Sequence, residues 1–312
     1  MKENQASFTA MSVAYMRAYH SMHDTPKIFD DFLAYDLIPV EKRALIEQHL
    51  IEQNISCGQH LYDSDYSVSH SDQTINSESL MQETHRYAGI FSSRARYAED
   101  ALEKAVKQGV KQYVILGAGM DTFAFREPEM MEKLEVFEVD HPATQEFKLH
   151  RLAELEWEHP AKLHFISIDF TKESLVTALT SSSSYDQKVK TFFNRLGVTY
   201  FLTRDEVFTT LRSITEIAPA GSIVVLDYLD IDAFIPEKSS PQIQKSLEYL
   251  RKIGEPMITG FNPSTLAEEL ASLGFSLQEN LSPADIEERY FKGRTDGYHA
   301  YEYAHFACAV VE

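Results

Sequence analysis

The chain has 312 residues, enough for one large domain or two small ones around a substantial core. Its 29 basic and 48 acidic residues leave a net charge of −19, which argues against nucleic acid or an anionic membrane as main partner, since both bind positive surfaces. Hydrophobic content of 44% with 25% charged residues is ordinary for a globular protein, and the two distant cysteines, Cys57 and Cys308, suggest neither a disulfide framework nor a metal site. The polar start from Met1 to Gln5 is followed by no apolar signal segment, and no apolar run reaches the ~18 residues of a membrane span, so the expectation is a cytoplasmic protein.

Residues 1 to about 90 read as a helical extension or cover. Ala10, Val13, Ala14, Met16 and Arg17 fall at helical spacing before a break at Asp24-Thr25-Pro26, and Leu45 to Ile51 forms a second short amphipathic helix. Tyr62 to Ser79, rich in Ser, Asp and Asn, reads as a loop or mobile cover. A helix over about Ser92 to Gln108 stops at Gly109, which suits a left-handed cap.

From Lys111 the pattern alternates between strand and helix. Apolar runs at Tyr113–Leu116, Leu134–Val139, Leu163–Ile168, Lys190–Phe193 and Ile223–Tyr228 predict strands, with helices at Ala143–Trp157, Lys172–Leu179 and Arg204–Ala218. This rhythm predicts a parallel sheet covered on both faces. The serines Ser181–Ser184 read as a solvated connector at its far edge. Asp230 to Pro263 interrupts the alternation with a helix at about Pro241–Ile253, and reads as an insertion above the carboxyl edge of the sheet. A helix at Ser264–Leu273 and two closing strands, Phe275–Leu281 and Glu302–Val311, complete a Rossmann-like, seven-stranded, mostly parallel sheet over residues 91–312, with a lid insertion at about 230–263.

Three strand ends carry chemistry. Gly117-Ala118-Gly119 follows the first strand, where missing side chains let the backbone turn sharply and approach a ligand closely. The third glycine of a dinucleotide loop is replaced by Thr122, and Asp121 stands where a phosphate would sit, which points to a nucleoside-like cofactor without phosphate. Asp140 ends the second strand, where a carboxylate can accept two ribose hydroxyls or simply start the helix at Pro142. Asp169-Phe170 follows the third, where an acid can meet an adenine amine beside an aromatic ring, or cap the following helix.

In combination these positions resemble class I S-adenosylmethionine-dependent methyltransferases of the leucine carboxyl methyltransferase type, within a bacterial branch. The resemblance runs from about Ser7 to Asp227 and rests on Ser7-Phe8-Thr9-Ala10 with Arg17-Ala18, Asp30-Asp31, Arg94-Ala95-Arg96-Tyr97, Val114–Arg126, Phe137–Pro142, Ile168-Asp169-Phe170 and Leu196–Leu202. It implies that Gly117, Ala118 and Gly119, with Asp121 beside them, pass under the methionine part of S-adenosyl-L-methionine. It further implies that Asp140 holds the ribose, that Asp169 and Phe170 frame the adenine, and that Arg94 or Arg96 meets the cofactor carboxylate, Arg94 being preferred. An R-x-R pair cannot point both heads the same way on a helix. Leu196 and Arg195 replace the Glu and the aromatic residue that many relatives carry at the fourth strand, which puts a cofactor contact there in doubt.

The methyl acceptor is expected to be a small or carrier-bound metabolite, methylated at a carboxylate by family analogy, with a hydroxyl as the alternative. A hydroxyl would need a base, and His60, His85, His141 and His299 are candidates; Tyr200, Arg294 and Tyr298 are candidates to line the acceptor pocket. A non-catalytic cofactor-binding relative and a nicotinamide-dependent oxidoreductase are the readings from other classes. No metal site is expected, and the oligomeric state is left open.

Overall fold

The computed structural model describes residues 5–58 and 73–312, with side chains for 5–51 and 87–312. The N-terminal region holds α1 (Phe8–His23), α2 (Ala34–Leu37), α3 (Val40–Gly58) and α4 (Gln73–Lys107). Strands β1 (Gln112–Leu116), β2 (Glu135–Asp140), β3 (Leu163–Ser167), β4 (Thr191–Arg195) and β5 (Ile223–Leu229) follow. Between them lie α5 (Phe123–Arg126), α6 (Pro128–Met131), α7 (Pro142–Glu154), α8 (Leu175–Thr180) and α9 (Arg204–Ile217). The chain closes with α10 (Pro241–Ile253), α11 (Leu266–Ala271), β6 (Phe275–Leu281), α12 (Pro283–Ile286) and β7 (Ala304–Val311).

The strands form one sheet in the order β3-β2-β1-β4-β5-β7-β6. Strands β1 to β5 pair in parallel, while β7 runs antiparallel between β5 and β6. The expected fold class is therefore the observed one. Every residue of β1 and β4 is buried, as continuous apolar runs covered on both faces demand. One core layer joins Tyr113, Ile115 and Phe192 to the N-terminal helices, and the other joins Val114, Phe137 and Phe193 to α8, α9 and α11.

The helix expected from Ser92 in fact begins at Gln73, so Gln73–Ser79 is helical rather than loop, and residue 90 lies inside a continuous helix. Leu80-Met81-Gln82-Glu83 are good helix formers that carry the helix back through the serine-rich start. The rest of the expected loop, residues 62–72, lies outside the described residues. Between β5 and β6, α10 occupies the expected bounds; Ser240 caps its start, and Gly254 ends it in the left-handed conformation.

Candidate functional site

The parallel order places the carboxyl ends of β1, β2 and β3 side by side, and their loops form the floor of a cavity of about 580 Å3. Gly117 turns at φ 77°, and a Cβ there would lie 2.3 Å from Val198 Cγ2, so no other residue fits. Its amide donates to Val139 at 2.7 Å, which ties the first loop to β2. Asp140 ends β2 and accepts from the amides of Gly119 and His141. Burial raises its carboxyl above the usual range, against the opposing pull of those two amides.

Asp169 lies two residues beyond β3 and accepts from the Thr171 amide at 3.0 Å, with Lys172 3.1 Å away. Burial works to raise its pKa, but the hydrogen bonds of Thr171 and the charge of Lys172 outweigh it and hold the group at about 2. Phe170 lines the cavity beside it, and His141 sits 4.0 Å from the Asp169 carboxylate while capping α7. Asp121 lines the cavity too, but its carboxylate accepts from the Phe123 amide at 2.8 Å. It therefore occupies the one helix start that could have seated a phosphate in this loop.

Helix α4 turns a single face to the cavity, bearing Tyr87, Ile90, Phe91 and Arg94 at i, i+3, i+4 and i+7. Arg94 donates to the Tyr200 hydroxyl at 2.7 Å and to Asp227 at 2.8 Å, with both partners buried. Gly197 accommodates this guanidinium, because a Cβ there would stand 2.8 Å from Arg94 Nη2. Arg96 points away and pairs with Asp100 on the surface at 2.8 Å. Burial keeps the Tyr200 phenol protonated by raising its pKa well above the usual value. From the fourth strand, Leu196, Gly197 and Val198 line the cavity. Arg195 does not; it is wholly buried with no hydrogen-bond partner, and burial pulls its pKa down to about 10.

The sequence reading gave no role to several residues that the structure brings here. Arg17 meets Asp31 at 2.8 Å and the Met120 carbonyl at 3.1 Å, while Arg126 binds Glu99 and reaches Asp31 at 3.4 Å. Arg17, Asp31 and Arg126 lie in segments that carry the family resemblance and Glu99 just beyond one, but only the fold joins them.

The opposite wall is the N-terminal region and α10. Helix α1 lies across the glycine loop, with Ala10 Cβ 3.0 Å from where a Cβ on Gly119 would be. Glu255, just past α10, accepts from the amides of Phe8 and Thr9 at 2.9 and 3.0 Å and from the Ser7 hydroxyl at 3.2 Å. A carboxylate at a helix start is a favourable pairing, and here it joins two segments about 250 residues apart. His49 lines the same end, its Nδ1 2.7 Å from the Leu45 carbonyl, between the Phe8 and Tyr249 rings.

Some expected residues do not reach this cavity. Arg294 forks onto Asp296, Tyr298 is buried and donates to Asp24 at 2.6 Å, and exposed His299 faces Glu287 at 3.0 Å. The glycine-bearing loop that holds them does start β7 beside the end of β5, but its side chains turn to the far end of α1 and to the surface. His60 and the side chains of His85 and Cys57 lie outside the described residues. Among the described residues there is no group of three or more His, Cys, Asp or Glu able to hold a metal, and no helix long and apolar enough to cross a membrane.

The family profile of leucine carboxyl methyltransferases matches residues 10–215. A Bacillus subtilis protein, YktD, provisionally named as an S-adenosyl-L-methionine-dependent methyltransferase, is 36% identical over 99% of both chains. A protein of the same provisional name from Mycobacteroides abscessus is 29% identical over 64% of this chain and 59% of its own. In fold alone, the chain is similar to a crystal structure of a DUF574 family protein from Streptomyces avermitilis, with a TM-score of 0.53 and 12% identity over 84% of this chain and 97% of that one.

Proposed function

The chain belongs to the leucine carboxyl methyltransferase family and is an S-adenosylmethionine-dependent methyltransferase; from that premise we propose that it methylates a carboxylate oxygen of a small acceptor. The residues of the floor fit the cofactor. The glycine loop leaves a side-chain-free cradle, and the Asp121 carboxylate on the Phe123 amide suits a nucleoside without phosphate. Asp140 accepts the ribose hydroxyls, Asp169 and Phe170 frame the adenine, and Gly117 to Gly119 pass under the methionine part. Arg94 meets the cofactor carboxylate, with Arg17 the second cation in reach of the same loop.

When bound, S-adenosylmethionine supplies a sulfonium-activated methyl group, which an oxygen nucleophile takes in line while the sulfur leaves as a neutral thioether. The protein must then orient the acceptor and exclude water. The observation that carries the carboxylate reading is the state of the cavity's own acids. Asp31 is held by Arg17, Glu255 by the start of α1, Tyr200 keeps its proton, and Glu99, which burial raises to about 7, is bound to Arg126. An acceptor that is already ionised at neutral pH needs no base. One observation favours the hydroxyl alternative. The Leu45 carbonyl next to His49 Nδ1 favours the tautomer with Nε2 unprotonated, as a general base requires.

The test is transfer of labelled methyl to a panel of carboxylic acids and phenols. Mild alkali releases methanol from an ester and leaves an ether intact, so base-labile product supports a carboxylate and base-stable product the hydroxyl. Arg94→Ala should abolish turnover and Arg96→Ala should leave it unchanged; equal effects would remove the assigned role of Arg94.

A further inference from the structure

The acceptor end of the cavity has a chemistry of its own, whose meaning rests on the methyl-transfer reading above. Helix α10 sets Ile243, Leu247, Leu250 and Ile253 in one stripe, while Gln244, Glu248 and Arg251 stay off it. Protein buries only Ile243 fully; the other three are half-buried and line the cavity. The same end is lined by Tyr87 and Phe91 of α4, whose rings stack at 6.5 Å, and by Tyr301, 6.3 Å from Tyr87. A polar or charged body would need partners here, yet the Tyr87 and Ser246 hydroxyls bond each other at 2.8 Å, Glu255 is engaged by α1 and His49 by the Leu45 carbonyl. Half-covered apolar side chains facing a cavity gain from an apolar occupant, which releases water that finds few partners there.

We propose that the acceptor is a carboxylic acid with an apolar alkyl or aryl body, which lies along the α10 stripe with its carboxylate turned down to the cavity floor. Through Glu255 the wall segments α1 and α10 hold each other across the cavity.

Calorimetric titration of the protein saturated with S-adenosylhomocysteine tests this with the straight-chain acids from butanoate to dodecanoate, with gluconate and glutamate as polar-bodied controls. The dissociation constant should fall about fourfold per methylene until the chain fills the space. Leu247→Asn and Leu250→Thr should flatten that slope and leave the affinity for S-adenosylhomocysteine unchanged. A flat wild-type series, or gluconate binding more tightly than octanoate, would overturn the proposal whether or not the variants fold. The matching primary alcohols separate the two levels of the argument. If alcohols gain affinity with length and accept methyl while acids do not, the apolar body stands and the carboxylate reading falls.

Discussion

The cavity has two walls of different origin. The floor is made of loops that follow β1, β2 and β3 directly, so Gly117, Asp140 and Asp169 lie within two residues of a strand end and both carboxylates accept from backbone amides. The cover is made of helices that reach the site from the N-terminal region and the insertion, and it is held by side chains, above all by Glu255 on the start of α1. A site held by backbone tolerates little and binds one thing precisely. A site held by side chains can change with its occupant, which suits a common cofactor below and a particular acceptor above.

The largest effect should come from the floor. Asp140→Ala removes a charged acceptor from the ribose position and leaves the Gly119 and His141 amides without it. Cofactor affinity should fall by roughly 3 kcal/mol, a hundredfold or more, with the fold intact by circular dichroism. Unchanged affinity would reduce Asp140 to the start of α7. Gly117→Ala comes next, because it adds a clash with Val198 to a left-handed backbone. It should cost roughly 2 kcal/mol of stability, and adding Val198→Ala should restore part of the loss but not all. Full recovery in the double variant would show that the left-handed turn imposes no strain.

A gentler test uses pH. The ionised Asp140 can accept from two ribose hydroxyls and the protonated form less well, and its pKa is raised, so cofactor affinity should fall as pH drops toward it, binding there being coupled to proton release. Asp169, held at about 2, stays ionised through that range, so Asp169→Asn should weaken binding by about tenfold at every pH without moving the midpoint. A midpoint that disappears in Asp169→Asn would reverse the assignment. The smallest effect belongs to the cover. Glu255→Ala should cost about 1 kcal/mol of stability and weaken cofactor binding only several-fold, and Glu255→Gln should cost less. A loss as large as that of Asp140→Ala would erase the distinction between the walls.

The same division decides what the sequence makes legible. Asp140 and Asp169 stand out because a short apolar strand fixes where its end must be, and parallel order brings neighbouring ends together. Arg94 and Arg96 stay ambiguous in sequence, because only the phase of α4 against the sheet shows which one faces inward. Helix α10 reads correctly as a helix, but its apolar stripe says nothing of the cavity it borders. Glu255 cannot be read at all, since its partners lie some 250 residues away and an isolated Glu after a helix has no local signature. Arg294 and Tyr298 mislead for the same reason: a glycine-bearing loop at the right edge of the sheet does not reveal which way its side chains turn.

Helix α4 is a single 35-residue element, a rod of roughly 50 Å. Tyr87, Phe91 and Arg94 line the cavity from one face of it, and in the proposed reading the first two meet the acceptor and the third the cofactor. Two ligands that press on one stiff rod share a free energy. Whatever factor the cofactor adds to acceptor affinity, the acceptor must return to the cofactor in equal measure. The coupling can therefore be read from either side: the factor by which S-adenosylhomocysteine changes acceptor affinity must equal the factor by which the acceptor changes that of S-adenosylhomocysteine.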